Sequence, residues 1–290
     1  MSERIVKNKG KICLLLSAFI YGIAPALAKF TYEGGANGIT LTFLRGALCV
    51  PLLYVMMKAD GQSIALTRKE LKQVIILGVF GGALPMALLY VSYDYISTGL
   101  ATTLHFIYPL IIVIASSFLF HEKMTKFKLI AVILVTIGIF MFVDINRVAD
   151  RRGIILALLS GVFYSFYVIY IERSGLENMN YRKFTFYFML IMSVTTLVFG
   201  LFMNEINFNL SPKAWVYSML ISLLITLLAT PLFQVGVRHE GASTAGIMST
   251  FEPITSVAVG ATLLGEFIGI TQMLGGAMIL TGVIIAEMRQ

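Results

Sequence analysis

Three ionisable side chains stand deep inside apolar runs of this sequence: Arg45, His105 and Glu252. A charge at the centre of a bilayer costs about 2.5–3.5 kcal/mol on insertion scales, and such groups usually face the protein interior. Helical rise is about 1.5 Å per residue. This places Arg45 and His105 about 10 Å from one edge of their runs and Glu252 about 15 Å from the opposite edge. In a hydrocarbon core about 30 Å thick, all three fall within about 5 Å of one level. That coincidence points to a polar centre. Glu252 can carry a proton or pair with an amine. Arg45 can hold Glu252 or a solute carboxylate. His105 can titrate near neutral pH. Against each stands a structural reading: an ion pair or helix-end bond for Glu252, structural pairing for Arg45, and a neutral hydrogen-bonded imidazole for His105. Lys29 lies near the end of its run and can snorkel to the interface.

Other residues shape the surroundings of these groups. Six of the seven prolines sit inside apolar runs: Pro25, Pro51, Pro85, Pro109, Pro231 and Pro253. A helix-interior proline releases the carbonyl four residues earlier. Pro25, Pro109 and Pro253 thus free those of Tyr21, His105 and Ser249, and we expect hinges or cavity walls there, with plain packing kinks as the alternative. Freed carbonyls at membrane depth need protein or a wet cavity to satisfy them. Tyr164 and Tyr167 share a helical stripe with Ile171, and tyrosine offers a flat apolar face with a polar tip. The expected substrate-binding residues are Tyr21, Arg45, Tyr90, His105, Tyr164, Tyr167, Gln234 and Glu252. Gly78-x-x-x-Gly82 and the small residues of 242–249 fit close helix packing.

The elements that must position these groups follow from composition. Of 290 residues, 58% are hydrophobic and 13% charged, and mean hydropathy is +0.87. Soluble proteins carry about 25% charged residues; here the outer surface must be apolar too, so the solvent is lipid. The net charge of +7 is better explained by basic cytoplasmic loops than by nucleic acid. Cys13 and Cys49 fit neither a disulfide framework nor a metal motif. The first run, 12–30, is too long and too much like later runs for a cleaved leader. There is no Walker loop, HExxH, GxSxG or paired ligand set, which speaks against an ATP-driven pump or a hydrolase. No cofactor or metal is expected.

Ten runs are long enough to span: roughly 11–32, 38–57, 71–92, 98–120, 126–143, 153–172, 182–203, 212–235, 242–264 and 268–288. The expected fold is an all-α integral membrane protein. With a cytoplasmic N-terminus, sixteen Lys and Arg fall on the cytoplasmic side and five on the other, so both termini should be cytoplasmic. Only the loop 144–152, with three arginines, dissents.

The chain also repeats itself. At a shift of 144, Ala101, Pro109, Val113, Leu119, Glu122 and Gly138 fall on Ala245, Pro253, Val257, Leu263, Glu266 and Gly282. At a shift of 143, Gly10, Ile12, Leu15, Leu16, Ser17 and Tyr21 fall on Gly153, Ile155, Leu158, Leu159, Ser160 and Tyr164. Matched leucines alone would mean little; matched Pro, Glu, Gly and Tyr mean more. Two five-span halves, 1–146 and 147–290, are expected. Five is odd, so the second enters from the opposite face, as in the inverted repeats of secondary transporters.

These features resemble the EamA-type members of the drug/metabolite transporter superfamily. The resemblance covers nearly the whole chain and rests on FLRG at 43–46, GLATTLHFIYP at 99–109 leading to His121–Glu122, and GASTAGIMSTFEP at 241–253 leading to Gly265–Glu266. It implies ten helices around a central cavity, lined by the first, third, fourth, sixth, eighth and ninth spans. It further implies a carrier, not an enzyme, that exports small metabolites, most often amino acids, across the cytoplasmic (inner) membrane. Protons are the candidate coupling ion, and a monomer or weak oligomer is expected. Other solutes such as sugars, vitamins, nucleosides or drug-like cations form the alternative, and a channel or a membrane receptor or enzyme is the more distant one. His105 stands where the family is often apolar.

Overall fold

A backbone in lipid must satisfy its own polar groups, which leaves helices for runs of this kind. A computed structural model describes residues 9–96, 98–120, 125–141, 150–263 and 269–287, and every regular element among them is helical. Among the described residues, seven helices are long and apolar enough to cross a membrane: α1 Lys9–Glu33, α2 Gly38–Ala59, α3 Arg68–Ser92, α4 Ala101–Leu119, α6 Arg151–Ser174, α7 Tyr181–Phe202 and α8 Pro212–Ser249. Between and after them come α5 Lys126–Phe140, α9 Phe251–Leu263 and α10 Ile270–Glu287. His121–Glu122 and Gly265–Glu266, singled out in the sequence, lie outside the described residues. So does Glu122's neighbour Lys123, with Arg4, Lys7, Arg147 and Arg289.

Local chemistry sets the helix starts. Asn37 caps α2 by accepting from the Thr40 N–H at 2.8 Å. Thr67 and Glu70 form a reciprocal capping box at α3, which satisfies two donors that a helix start leaves open. Prolines set the interruptions. Pro25, Pro51 and Pro109 each sit in the first turn of a helix that restarts after a break, at Ala24, Val50 and Tyr108. Proline is tolerated there because its missing N–H would have no intrahelical partner. Pro85 and Pro231 instead follow π-helical segments, Leu77–Ala83 and Ser222–Ala229. Pro253 follows a one-residue turn at Thr250.

The sequence separates spans 212–235 and 242–264. The structure likewise breaks the helix between them, at Gly241, with φ 78° and ψ 166°, and helix resumes from Ala242 to Ser249. Such a conformation is essentially restricted to glycine. The carboxylate of Glu172 accepts the N–H of Ala242 at 2.6 Å and so caps the helix that resumes there.

The outside of the bundle carries many large apolar side chains. Phe118 and Phe202 are 77% and 83% exposed, a surface suited to lipid and not to water.

The sequence repeat reappears as reciprocal packing. A Cβ on Gly138 would lie 2.7 Å from the Gly275 carbonyl oxygen and 2.9 Å from Ile279. One on Gly282 would lie 2.9 Å from the Ala131 carbonyl oxygen and 2.8 Å from Val135. Each residue maps to its counterpart by a shift of 144: Ala131 to Gly275, Val135 to Ile279, Gly138 to Gly282. The same contact is made twice with the partners exchanged, as a two-fold relation requires. A second pair of contacts behaves likewise: Gly10 packs on His239 and Glu240, and Gly153 on Tyr95 and Ile96.

Candidate functional site

A cavity sits among α1–α4 and α6–α9. Seven of the eight substrate-binding residues expected from sequence line it: Tyr21, Arg45, Tyr90, His105, Tyr164, Tyr167 and Glu252. Pro25 lines it as well, whereas Pro109 and Pro253 do not. Gln234 is elsewhere. Its Nε2 donates to the carbonyls of Leu176 (3.0 Å) and Met179 (3.1 Å), tying down the turn after α6.

Arg45 is held by a helix break. The N–H of Cys49, which would bond the Arg45 carbonyl in an unbroken helix, bonds Gly46 instead. The released Arg45 carbonyl accepts from the hydroxyls of Ser222 (2.7 Å) and Thr226 (3.3 Å) on α8. The side chain is 7% exposed. One terminal nitrogen donates to the Met86 sulfur at 2.9 Å, and Nε has no acceptor. A thioether is a weak acceptor, so the guanidinium retains donor capacity. Among the described residues the ion pairs are Arg182–Asp60 and Arg173–Glu172. Arg45 and Glu252 share the cavity without forming one.

His105 is 5% exposed and shares a 2.8 Å hydrogen bond between its Nδ1 and Ser160 Oγ. Its carbonyl, released by Pro109, lies against Gly161 of α6, where a Cβ would come within 2.6 Å. Around it runs an aromatic wall. The Tyr164 ring centre is 5.1 Å from His105, 4.7 Å from Tyr108 and 5.2 Å from Tyr167, and Tyr167 stacks on Phe188. Opposite, Thr230 Oγ1 donates to the Ile225 carbonyl at 2.9 Å, so its 3.2 Å bond with Tyr21 has the tyrosine as donor.

Met86, Tyr93, Thr102, Phe188 and Met192 also line the cavity and escaped the sequence reading. Tyr93 was findable, one helical turn beyond Tyr90. Nothing in the sequence distinguishes Met86 or Met192 from other core methionines.

A bilayer-sized helical bundle enclosing an aromatic cavity with one cation and one carboxylate defines a multi-pass membrane protein of the transporter class. The model of the EamA-like transporter family matches residues 8–144 and again 151–288. The chain belongs to that family, within the drug/metabolite transporter superfamily. An uncharacterized transporter of Archaeoglobus fulgidus is 25% identical over 278 residues, covering 96% of each chain. One of Synechocystis is 26% identical over 309 residues, covering 95% of this chain and 93% of its own. A protein of known crystal structure superposes with a TM-score of 0.80 over 96% of both chains. At 15% identity, that likeness concerns the fold alone.

Proposed function

We propose that this protein is a secondary transporter that exports small metabolites, amino acids foremost, across the cytoplasmic membrane by alternating access. The halves 1–146 and 147–290 act as inverted five-span repeats, ten crossings in all, with both termini cytoplasmic and protons as the coupling ion. The observation that carries this reading is the cavity: it holds Arg45 and Glu252 unpaired with each other, between elements related by reciprocal contacts. A buried cation and a half-buried carboxylate kept apart are costly unless something else neutralises them. A zwitterionic solute does so, its carboxylate on Arg45 and its ammonium on Glu252, with its side chain against Tyr164 and Tyr167. Rocking of the two halves about this site would expose it to either face. The breaks at Pro25, Pro109 and Pro253 are the hinges in this scheme.

Uptake and efflux in proteoliposomes across an amino-acid panel, with and without a pH gradient, test the proposal. Solute flux above protein-free vesicles, raised by the gradient, is expected. No flux of any panel member would sink the amino-acid reading.

A further inference from the structure

The hydrogen bonds around His105 determine which of its nitrogens carries the proton. Ser160 has one hydroxyl hydrogen, and it points to the Ala157 carbonyl at 2.6 Å. The Oγ can therefore only accept from His105 at 2.8 Å, which makes Nδ1 the protonated nitrogen. In a neutral imidazole the other nitrogen is then a bare lone pair. Nothing among the described residues hydrogen-bonds Nε2, and it is not closed off from the cavity that the ring lines. Ser160 itself is fully buried, behind the imidazole.

The pair related to this one by the repeat lacks the histidine. The counterparts of Ser160 and His105 are Ser17 and Ser249. Ser17 donates to the Leu14 carbonyl at 2.8 Å, repeating the Ser160 bond one half earlier, while Ser249 donates back to Ala245. The serine is common to both halves; the acceptor facing the cavity belongs to one.

We propose that Ser160 holds His105 as the Nδ1–H tautomer, so that Nε2 acts as a hydrogen-bond acceptor that recognises a donor end, an ammonium or N–H, of the transported solute. His105 is thus a specificity-determining residue and Ser160 a positioning residue. The proposal rests on the carrier reading above, and it adds that a solute without an N–H donor is discriminated against. Glu252 supplies a second acceptor at the same cavity, which suits the several hydrogens of an ammonium better than one acceptor would.

Two measurements on the purified full-length protein test it. The first needs no solute. The chain has only three histidines, His105, His121 and His239, so ¹⁵N-histidine labelling resolves them, with His105 assigned by its substitution. The expected spectrum has Nδ1 protonated and Nε2 unprotonated in the wild type, and loses this state in Ser160→Ala. The opposite tautomer in the wild type, or an unchanged one in Ser160→Ala, would overturn the lock.

The second measurement adds L-phenylalanine, phenethylamine or 3-phenylpropionate, and compares His105→Gln with His105→Asn. Asn keeps a donor where Nδ1 stood; Gln places an acceptor where Nε2 stood. The first two probes are expected to move the Nε2 resonance and the acid to leave it. For whichever of them the wild type carries, His105→Gln should keep uptake within about threefold of wild type and His105→Asn lose about tenfold, the scale of one hydrogen bond. A merely structural histidine would reverse that order. Movement by the acid alone, movement by none, or Asn matching the wild type would overturn the recognition role. Movement of Nε2 without flux of any probe would overturn the carrier reading and leave the recognition role standing.

Discussion

Arg45 on α2 and Glu252 on α9 face one cavity and form no ion pair with each other. Their separation is structural. The Arg45 backbone is pinned to α8 by the hydroxyls of Ser222 and Thr226, and its guanidinium leans on Met86. Glu252 stands in the first turn of α9, one residue before Pro253. Each group is placed by its own helix break, so neither needs the other to hold its position.

Substituting Glu252→Gln should therefore abolish transport without unfolding the protein. The amide keeps the shape and removes the charge. We expect flux to fall at least about tenfold, equivalent to about 1.4 kcal/mol, with an unchanged thermal melting profile in detergent. Wild-type flux would remove the carboxylate from the mechanism.

Arg45→Lys should weaken a carboxylate-bearing solute despite conserving charge. Lysine offers a point charge where arginine offers a planar fork. Apparent affinity should drop about tenfold for solutes with a carboxylate and stay unchanged for the corresponding amines. The Ser222 bond is to the Arg45 backbone, so folding should persist, and circular dichroism checks this.

Gly138→Ala and Gly282→Ala should each destabilise the protein by about 1–3 kcal/mol, the usual cost of overpacking. Their added methyls would meet backbone oxygen at 2.7 Å and 2.9 Å. Because the contacts are counterparts, the two melting temperatures should fall by similar amounts. Neither residue lines the cavity, so the ranking of solutes should not change. A neutral effect of one alone would contradict the equivalence of the two contacts.

At Gly241, alanine is expected to cost about 1–3 kcal/mol through backbone strain. Glu172→Ala is expected to cost about 1 kcal/mol through loss of the cap on Ala242. The two act on one helix start, so their effects should fall short of additive in a double-mutant cycle, read by thermal melting. Full additivity would show that the cap and the break are independent.

Gln234→Leu offers the contrast. It removes both bonds to the turn at Leu176 and Met179, and we expect a loss of about 1–3 kcal/mol in stability with solute affinity intact. A selective loss of affinity would return Gln234 to the binding site.

Much of this site was legible in the sequence because charged and aromatic residues at membrane depth are conspicuous against leucine and valine. Arg45, His105 and Glu252 declared themselves by cost, and depth along their helices was enough to bring them together. Gln234 is polar as well, but polarity alone does not tell a solute contact from a loop tether. That distinction depends on which way a helix face turns, and α8 changes its turn at Ser222–Ala229. Met86 and Met192 were invisible for the opposite reason: methionine at these positions reads as ordinary core. The repeat was visible in Pro, Gly and Tyr. That those glycines touch each other's counterparts could be learned only from three dimensions.

The π-helical segments before Pro85 and Pro231 have a bearing on how this chain tolerates insertions and deletions. A π turn accommodates one residue more than an α turn, and one residue is about 100° of rotation about the helix axis. Removing a single residue from Leu77–Ala83 would leave hydropathy and span length almost untouched. If the segment closed into regular α-helix, Met86, Tyr90 and Tyr93 would keep their present direction. If it stayed π, all three would swing off the cavity wall together. The segment before Pro85 thus acts as a vernier: a count of residues at Leu77–Ala83 sets the direction in which Met86, Tyr90 and Tyr93 face.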